Sequence, residues 1–539
     1  MIRRGLTLSR VIRRFNHQLV DDHQYSLRRL KVKQDESKYY PLAGTLRFKE
    51  RNPKILRIPA FQTIFQELET KTLEGTNYVL QGKVVSIRRA GKGMIFLDLE
   101  QDNHKVQIVA SNKMMKMDLQ AFVEVHGDIR PGDQVSCVGL PGRTNVGELS
   151  LKTLEPLRLA SPALQALPPK LTDQSKIHGN RVMDYLVNKS SRDVILTRAE
   201  IIYAIREILN GHKFLEVQTP LIGSSSTGAN ATPFTTQSVH IKDNDDKTLD
   251  LHMRVAPEIW LKKMIISGFD KVYEIGQVFR NEGIDATHNP EFTTCEFYQT
   301  FATLEDLMAL SEEMLDHIMV RIMSDPRLAL VAHQPTLELI SAIDENGGHF
   351  KKLEFIPTLE RETGVALPSE LTTETLVEYF ERLNLPLPEI KSAQKLLNYL
   401  SEKFIEPLCG SCPTFIYHQP AVLSPLAKST SISYGDQSFE ISRRFEMFIN
   451  GREYINAYEE ENSPFQQDEK FKLQIRAKED HNDDESIIPD EKFVEAMEWG
   501  MPPTGGWGMG IDRLTMLLTG SSRIDQVLTF GKMSDVIKQ

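Results

Sequence analysis

Spacing of apolar positions divides the chain before any chemistry is considered. Val194, Ile195, Ile201, Ile202, Ile205, Ile208 and Leu209 recur at helical intervals and Gly211 follows, which predicts a long amphipathic helix ending there. Residues 214–220 then read as a strand stopped by Pro220. Earlier in the chain, residues 78–85, 94–99, 105–109, 134–138 and 147–151 are short alternating segments separated by glycine-bearing turns. Several such strands within roughly 80 residues predict a small β-barrel. Pro156 and the proline-bearing stretch 162–169 mark a linker beyond it. After a loop opened by Arg280, a returning strand places Phe292, Thr294, Glu296 and Tyr298 on one face, because strand side chains alternate.

The N-terminus has a different texture. Arg3, Arg4, Arg10, Arg13 and Arg14 precede the first acidic residue, Asp21, while Leu8, Val11, Ile12 and Phe15 fall at helical spacing. A basic, amphipathic, acid-free start reads as a mitochondrial transit peptide over residues 1–30, and hence a matrix protein; the alternative is a basic tail. Residues 31–74 read as an extension without a clear pattern. A length of 539 residues is enough for two or three domains. A net charge of −10 excludes a generally basic nucleic-acid coat, so an RNA partner would need a local basic surface or stacking sites. No apolar run of about 18 residues suggests a membrane span. The four cysteines are too few for a disulfide framework, and Cys409-Gly410-Ser411-Cys412 has no second CxxC, so it reads as two ordinary thiols near a strand.

The candidate chemistry is anion binding. Arg280-Asn281-Glu282-Gly283 leads into His288-Asn289-Pro290-Glu291-Phe292, and Gly508-Met509-Gly510-Ile511-Asp512-Arg513 puts two glycines and an arginine at a strand-to-helix junction. Two fixed guanidiniums with accessible glycine backbone suit a bent triphosphate. These segments together resemble motifs 2 and 3 of the class II aminoacyl-tRNA synthetases, with wording closest to the lysine-specific members. The helix and strand ending in Pro220 resemble motif 1, the dimer-interface element of the class. The resemblance spans about residues 75–530 and takes in Ser424-Pro425-Leu426-Ala427, Asp483-Asp484-Glu485 and Pro502-Pro503-Thr504-Gly505-Gly506-Trp507.

That resemblance implies an α+β fold: an OB-fold anticodon-binding barrel over 75–160, a linker over 161–180, and a catalytic domain over 181–535 built on an antiparallel sheet flanked by helices. It implies a homodimer that activates lysine with Mg²⁺-ATP and transfers it to tRNA(Lys). Arg280 would bridge the α-phosphate and the amino-acid carboxylate, and Arg513 would meet the γ-phosphate. Phe292, Glu282, His288, Glu446, Gly508 and Gly510 would complete the ATP site. Glu446 and Glu453, flanking the Asn450-Gly451 turn, would hold Mg²⁺; on spacing alone they could equally be solvated hairpin glutamates. A buried lysine ammonium needs counter-charge. Glu258, Tyr298 and Glu460 are implied for that end, and Gly228, Glu296 and Asn456 for the amino-acid end. Asn456, Tyr458 and Glu460 are expected to share a strand face. On the barrel, Phe96 would stack on an anticodon base while Arg89, Gln107 and Glu148 read base edges; Phe96 could equally be core.

Three positions depart from the family. Thr232 stands where arginine or lysine is usual, no proline follows Phe530, and Tyr458 replaces the phenylalanine of bacterial members. The rival readings are an aspartate or asparagine enzyme, whose pocket chemistry would differ at Glu258 and Glu460, a ligase that attaches lysine to a protein, and an inactive RNA-binding scaffold. An aspartate pocket would need a cation where these acids stand. Protein-modifying ligases typically lack the barrel, and a scaffold has no need of both arginines and both metal acids.

Overall fold

The computed structural model describes residues 25–69, 71–72, 75–168, 170–223, 228, 231–242, 247–481 and 490–530. Most of the expected presequence lies outside them. The chain divides into two compact units, residues 1–187 and 188–539.

The first unit is a closed barrel. Helix α1 (Ile58–Phe65) precedes strand β1 (Tyr78–Arg89), followed by β2 (Met94–Gln101), β3 (His104–Ser111), helix α2 (Leu119–Gly127), β4 (Gln134–Arg143) and β5 (Leu149–Thr153). Strand order is β1-β2-β3-β5-β4, and β4 pairs back onto β1 to close the ring. On β2, Ile95, Leu97 and Leu99 point into the core while Phe96 and Asp98 point out. Asp118 starts α2 by accepting the Gln120 and Ala121 backbone N–H groups. The extension before the barrel is more ordered than its sequence suggests. Ile58, Phe61 and Phe65 of α1 join the barrel core, and Phe48 packs on Val79 and Val138 beneath the Arg158 guanidinium. Ile58, Phe61 and Phe65 stand at i, i+3 and i+7, the spacing of one helix face, but over a single short helix; Phe48 carries no periodic signal.

The second unit is built on an eight-stranded sheet. Helix α3 (Lys189–Gly211), strand β6 (Leu215–Glu216), helix α4 (Glu258–Ile266), β7 (Lys271–Phe279), β8 (Glu291–Thr300) and helix α5 (Leu304–Ser324) come first. Then follow β9 (Lys351–Glu354), β10 (Thr414–Tyr417), β11 (Arg444–Ile449), β12 (Arg452–Glu459), β13 (Thr504–Gly510) and helix α6 (Ile511–Thr519). Strand order is β9-β10-β11-β12-β13-β8-β7-β6, antiparallel except for the two edge pairs. One face is sealed by α3, α5 and α6: Ile201, Leu209, Met314, Ile318, Leu514 and Leu518 pack on Cys295, Phe297, Trp507 and Met509. Phe297 stacks on Trp507 at 4.8 Å, and the indole N–H donates to Ser311 Oγ. Each such large side chain contributes roughly 1.5–3 kcal/mol on burial. The opposite face is thereby left to hold a ligand.

The strand expected over 214–220 shortens to Leu215–Glu216. Val217 still donates to Tyr273, but the Thr219 N–H is taken by the Glu274 side chain, and Pro220 has no donor to continue the ladder. Cys409 and Cys412 are buried free thiols just before β10; burial pushes Cys409 up to about 12.

Candidate active site

A cavity of about 450 Å³ lies over the open sheet face, a size that suits a small-molecule site. Phe292, Thr294, Glu296 and Tyr298 all line it from β8. Next to them β13 contributes Gly506, Gly508 and Gly510, in register with Tyr298, Glu296 and Thr294. The alternating glycines leave one strand of the floor without side chains, while Trp507 and Met509 between them anchor it in the core. Close approach is what requires Gly506. A β-carbon there would run into Glu460 Oε1 and stand 2.7 Å from Tyr298 Cε1.

At one end the cavity is cationic. Arg280 follows β7, its N–H bonded to the Pro290 carbonyl across the loop, and its guanidinium lies 5.2 Å from the Phe292 ring centroid. Arg513 is on the first turn of α6 and donates to His288 Nε2 at 2.8 Å. That bond makes His288 Nε2 an acceptor, so Nδ1 carries the proton and donates to Asp285 Oδ2 at 2.8 Å. Asp285, which also accepts the Thr287 and His288 N–H groups, is held well below the usual carboxylate range, first by its bond from Thr287 N–H. Burial lowers the Arg280 guanidinium, and Arg513 lowers it further. Glu282, Glu453 and Glu296 pull it the other way. Asp512 locks this corner: it accepts from Arg198 on α3 at 2.9 and 3.0 Å and from Thr293 N–H at 2.7 Å. Glu282 also lines the cavity.

The β11–β12 hairpin turns through Asn450 and Gly451, both left-handed at φ 52° and 66°. Its register shifts after Met447, so Glu446 pairs with Asn456 but Phe448 with Glu453. A regular strand cannot point Glu453 and Asn456 to one face. The bulge does, and Glu446, Glu453, Asn456 and Tyr458 all line the cavity. Burial raises the Glu453 carboxyl, and the neighbouring Glu446 raises it further. Two hard oxygen ligands that repel each other beside a cationic end suit a divalent cation that keeps waters and phosphates as its other ligands. Arg444 ties the hairpin together, donating to Asn456 Oδ1 at 3.0 Å, Ser424 Oγ at 2.9 Å and Glu446.

The other end is acidic and closed. Glu258 opens α4; its Oε1 accepts from Tyr458 OH and from Lys262 Nζ, each at 2.6 Å. Gly228 faces it at φ 108°, where a β-carbon would sit 3.2 Å from Glu258 Cβ. Glu296 is pushed up to about 8 by burial and the nearby Glu258 charge, against the pull of Arg280. Glu460 lies just beyond β12 and is 2% exposed; it keeps the face of Asn456 and Tyr458, with its Oε1 where a β-carbon of Gly506 would project. Its backbone N–H bonds to the Thr504 carbonyl, which continues the register of β12 on β13 by one residue. Burial raises Glu460 far above the ordinary range although Lys262 opposes it.

A family model described as tRNA synthetases class II (D, K and N) matches residues 173–534, and one described as an OB-fold nucleic acid binding domain matches residues 78–156. The chain belongs to the class II tRNA synthetases of the aspartate, lysine and asparagine group. This class II synthetase is 39% identical over 463 residues to the mitochondrial lysine–tRNA ligase of Schizosaccharomyces pombe, covering 85% of this chain and 84% of the relative. It is 41% identical over 492 residues to that of Saccharomyces cerevisiae, covering 85% and 82%. With the lysine–tRNA ligase of Bacillus subtilis it shares 36% over 522 residues, 96% of this chain and 98% of the relative. The expected α+β architecture, an OB-fold barrel followed by a class II catalytic domain, is met.

In the barrel of this synthetase, Phe96 projects away from the core that Ile95 and Leu97 fill. Cross-strand from Phe96 stands Arg88; Arg89 is paired with Ile95 instead and donates to the His126 carbonyl. Gln107 is only 4% exposed, bonded to Glu148 Oε2 at 2.6 Å and to Ser150 Oγ. Phe96, Gln107 and Glu148 thus belong together and Arg89 stands apart. Sequence reading missed Lys262, Gly506 and Arg444 in the catalytic unit. The glycine alternation at 506, 508 and 510 was a visible signal; the other two read as ordinary charges beside a nearby acid, and what sets them apart, the contacts of Lys262 with Glu460 and of Arg444 with Ser424 and Asn456, spans distant sequence.

Proposed function

We propose that this chain is a mitochondrial lysine–tRNA ligase. It activates lysine with Mg²⁺-ATP to lysyl-adenylate and passes the lysyl group to the 3′ end of tRNA(Lys). The observation that carries this reading is the polarity of one cavity: two guanidiniums at the open end, and buried carboxylates with two tyrosines at the closed one. Adenylation is attack of the lysine carboxylate on the α-phosphate with loss of pyrophosphate, and it needs no protein nucleophile. Arg280 draws carboxylate and α-phosphate together and stabilises the charge that grows on the phosphate. Phe292 offers its ring to the adenine, Glu282 its carboxylate to the base, and Gly508 and Gly510 let the nucleotide lie against the floor. Arg513 and His288 receive the outer phosphates, aided by the N-terminus of α6. Glu446 and Glu453 would hold Mg²⁺, which supplies charge neutralisation on the phosphates when bound. Gly228, Glu296 and Asn456 hold the α-amino end; Glu258 and Tyr298, with Glu460 behind them, hold the side-chain ammonium.

ATP–pyrophosphate exchange with purified protein tests the reading, with lysine beside aspartate, asparagine and ornithine. Exchange with lysine alone is expected. Exchange with aspartate or asparagine would overturn the pocket, and none at all would favour an inactive scaffold.

The Glu296 carboxyl adds a pH prediction. In the empty pocket it is neutral below about 8, yet only its ionised form holds an ammonium. Lysine affinity should therefore weaken as pH falls, by roughly fivefold between pH 8 and 7, and binding at pH 7 should release a proton. Titration calorimetry in buffers of different ionisation enthalpy reads that proton directly; a buffer-independent enthalpy would refute the role.

On the barrel, Phe96→Ala should raise the KM for tRNA about tenfold, the scale of one lost stacking contact, and leave lysine exchange untouched. An unchanged tRNA KM would remove Phe96 from the interface. Self-association is supported by exposed Tyr203 on α3 and by Leu215, Leu221 and Ile222 after it, and the mitochondrial address by the basic N-terminus and the two yeast relatives. A monomer on sedimentation, or a diffuse cytosolic signal from residues 1–30 fused to a reporter, would count against these two points.

A further inference from the structure

Lys262 is one turn along α4 from Glu258, and none of its side chain reaches solvent. Its Nζ stands 2.6 Å from Glu258 Oε1 and 2.5 Å from Glu460 Oε2, with the Tyr458 and Phe493 rings 5.6 and 5.7 Å away. Burial would push this ammonium down, but the two carboxylates outweigh it and hold the group above its ordinary range. The carboxylates themselves are used unequally. Glu258 lines the cavity, whereas Glu460 is buried over Gly506 with its Oε1 without a hydrogen-bond partner among the described residues. Around the closed end there are thus three carboxylates, Glu258, Glu296 and Glu460, and one resident cation between two of them. Free lysine carries two ammonium groups. With substrate in place and all three ionised, three anions against one resident and two incoming cations leave no charge unbalanced, which is the condition for burying them together.

We propose that Lys262 is a specificity-determining positioning residue: its ammonium neutralises one of the Glu258–Glu460 pair and fixes both, so that the closed end offers a single negative charge to a single substrate ammonium. This rests on the lysine reading above. With Lys262 absent, two facing carboxylates would repel each other or take up a proton, and the acceptor geometry would be lost. With Glu460 neutral and Lys262 present, the pair would carry no net charge and would attract no cation. Only the balanced states suit lysine.

A double-substitution cycle in the full-length protein separates charge balance from a scaffold role, read by lysine-dependent ATP–pyrophosphate exchange. Lys262→Met and Glu460→Gln should each raise the lysine KM by roughly 30-fold, within the range for losing a hydrogen bond to a charged group. Their kcat and ATP KM should hold within about threefold, since Arg280 and Arg513 are at the other end. The combined variant restores one net negative charge and should bring the lysine KM back to within about fivefold of the unsubstituted protein. A combined variant as poor as the worse single one, or a Lys262→Met enzyme with unchanged lysine KM, would overturn the proposal. Should Lys262→Met fail to fold, the combined variant against Glu460→Gln alone decides it: recovery supports charge balance, and no recovery, or a combined variant that does not fold either, means that Lys262 only props the structure. Absence of lysine exchange in the unsubstituted chain would sink the lysine reading, and this proposal with it, before any variant is made.

Discussion

Arg280→Ala should lower kcat/KM for lysine-dependent pyrophosphate exchange by about a thousandfold, the scale of removing a preorganised donor from a developing anion. The guanidinium stands where two anions must meet: Glu296 and the acidic end lie on one side of it, Arg513 and the metal-type acids on the other. Removing it leaves the lysine carboxylate and the α-phosphate to repel each other uncompensated. Arg280→Lys should recover only part of the loss, because a point charge cannot bond both anions at once in the fork geometry. Stability should respond little. Arg280 makes no ion pair within 4 Å among the described residues, and burial outweighs the pull of Glu282, Glu453 and Glu296 on its charge, so the melting temperature should hold within a few degrees. A variant that keeps more than a tenth of the activity, or one that loses activity only by unfolding, would contradict this role.

Much of the phosphate end was legible because it is written locally. Alternation on β8 is a property of six or seven consecutive residues, and Arg280 and Arg513 each stand at a loop or helix start that the sequence marks. The closed end was legible only in part. Glu258 and Glu460 could be named, but the ammonium already between them comes from Lys262, which on α4 reads as an ordinary helix residue one turn from an acid. The common face of Glu453 and Asn456 depends on a bulge that only strand pairing reveals. Which strand-end residue lies across from Phe96 is likewise a matter of register: Arg88 does, and Arg89 pairs with Ile95. The order in the 43–65 segment escaped notice for a related reason: its aromatic residues are buried by a barrel that closes later in the chain.

The glycines of β13 give the sharpest separation between the two ends of the cavity. In Gly506→Ala the lysine KM should rise roughly a hundredfold, near the upper range for forcing one extra carbon into a packed site. The new methyl would meet Glu460 Oε1 and lie 2.7 Å from Tyr298 Cε1. Neither neighbour can retreat easily: Glu460 is tied to Lys262, and Tyr298 is buried against α4 in a cluster with Leu261 and Ile265. Strand propensity would favour alanine over glycine here, so a loss can only come from the occupied space. Its neighbours on the same face are roomier. A β-carbon at Gly508 would be 3.4 Å from Glu296 Cγ, and one at Gly510 3.9 Å from Arg513 Cβ, both ordinary contacts. Gly508→Ala and Gly510→Ala should therefore leave the lysine KM within a few-fold and act on the ATP KM instead, since the proposed nucleotide lies against them. One strand read at every second residue would thus report amino acid first and nucleotide after. Equal effects of all three substitutions on both substrates would mean that the floor is merely packing, and that the division of the cavity into an ammonium end and a phosphate end is wrong.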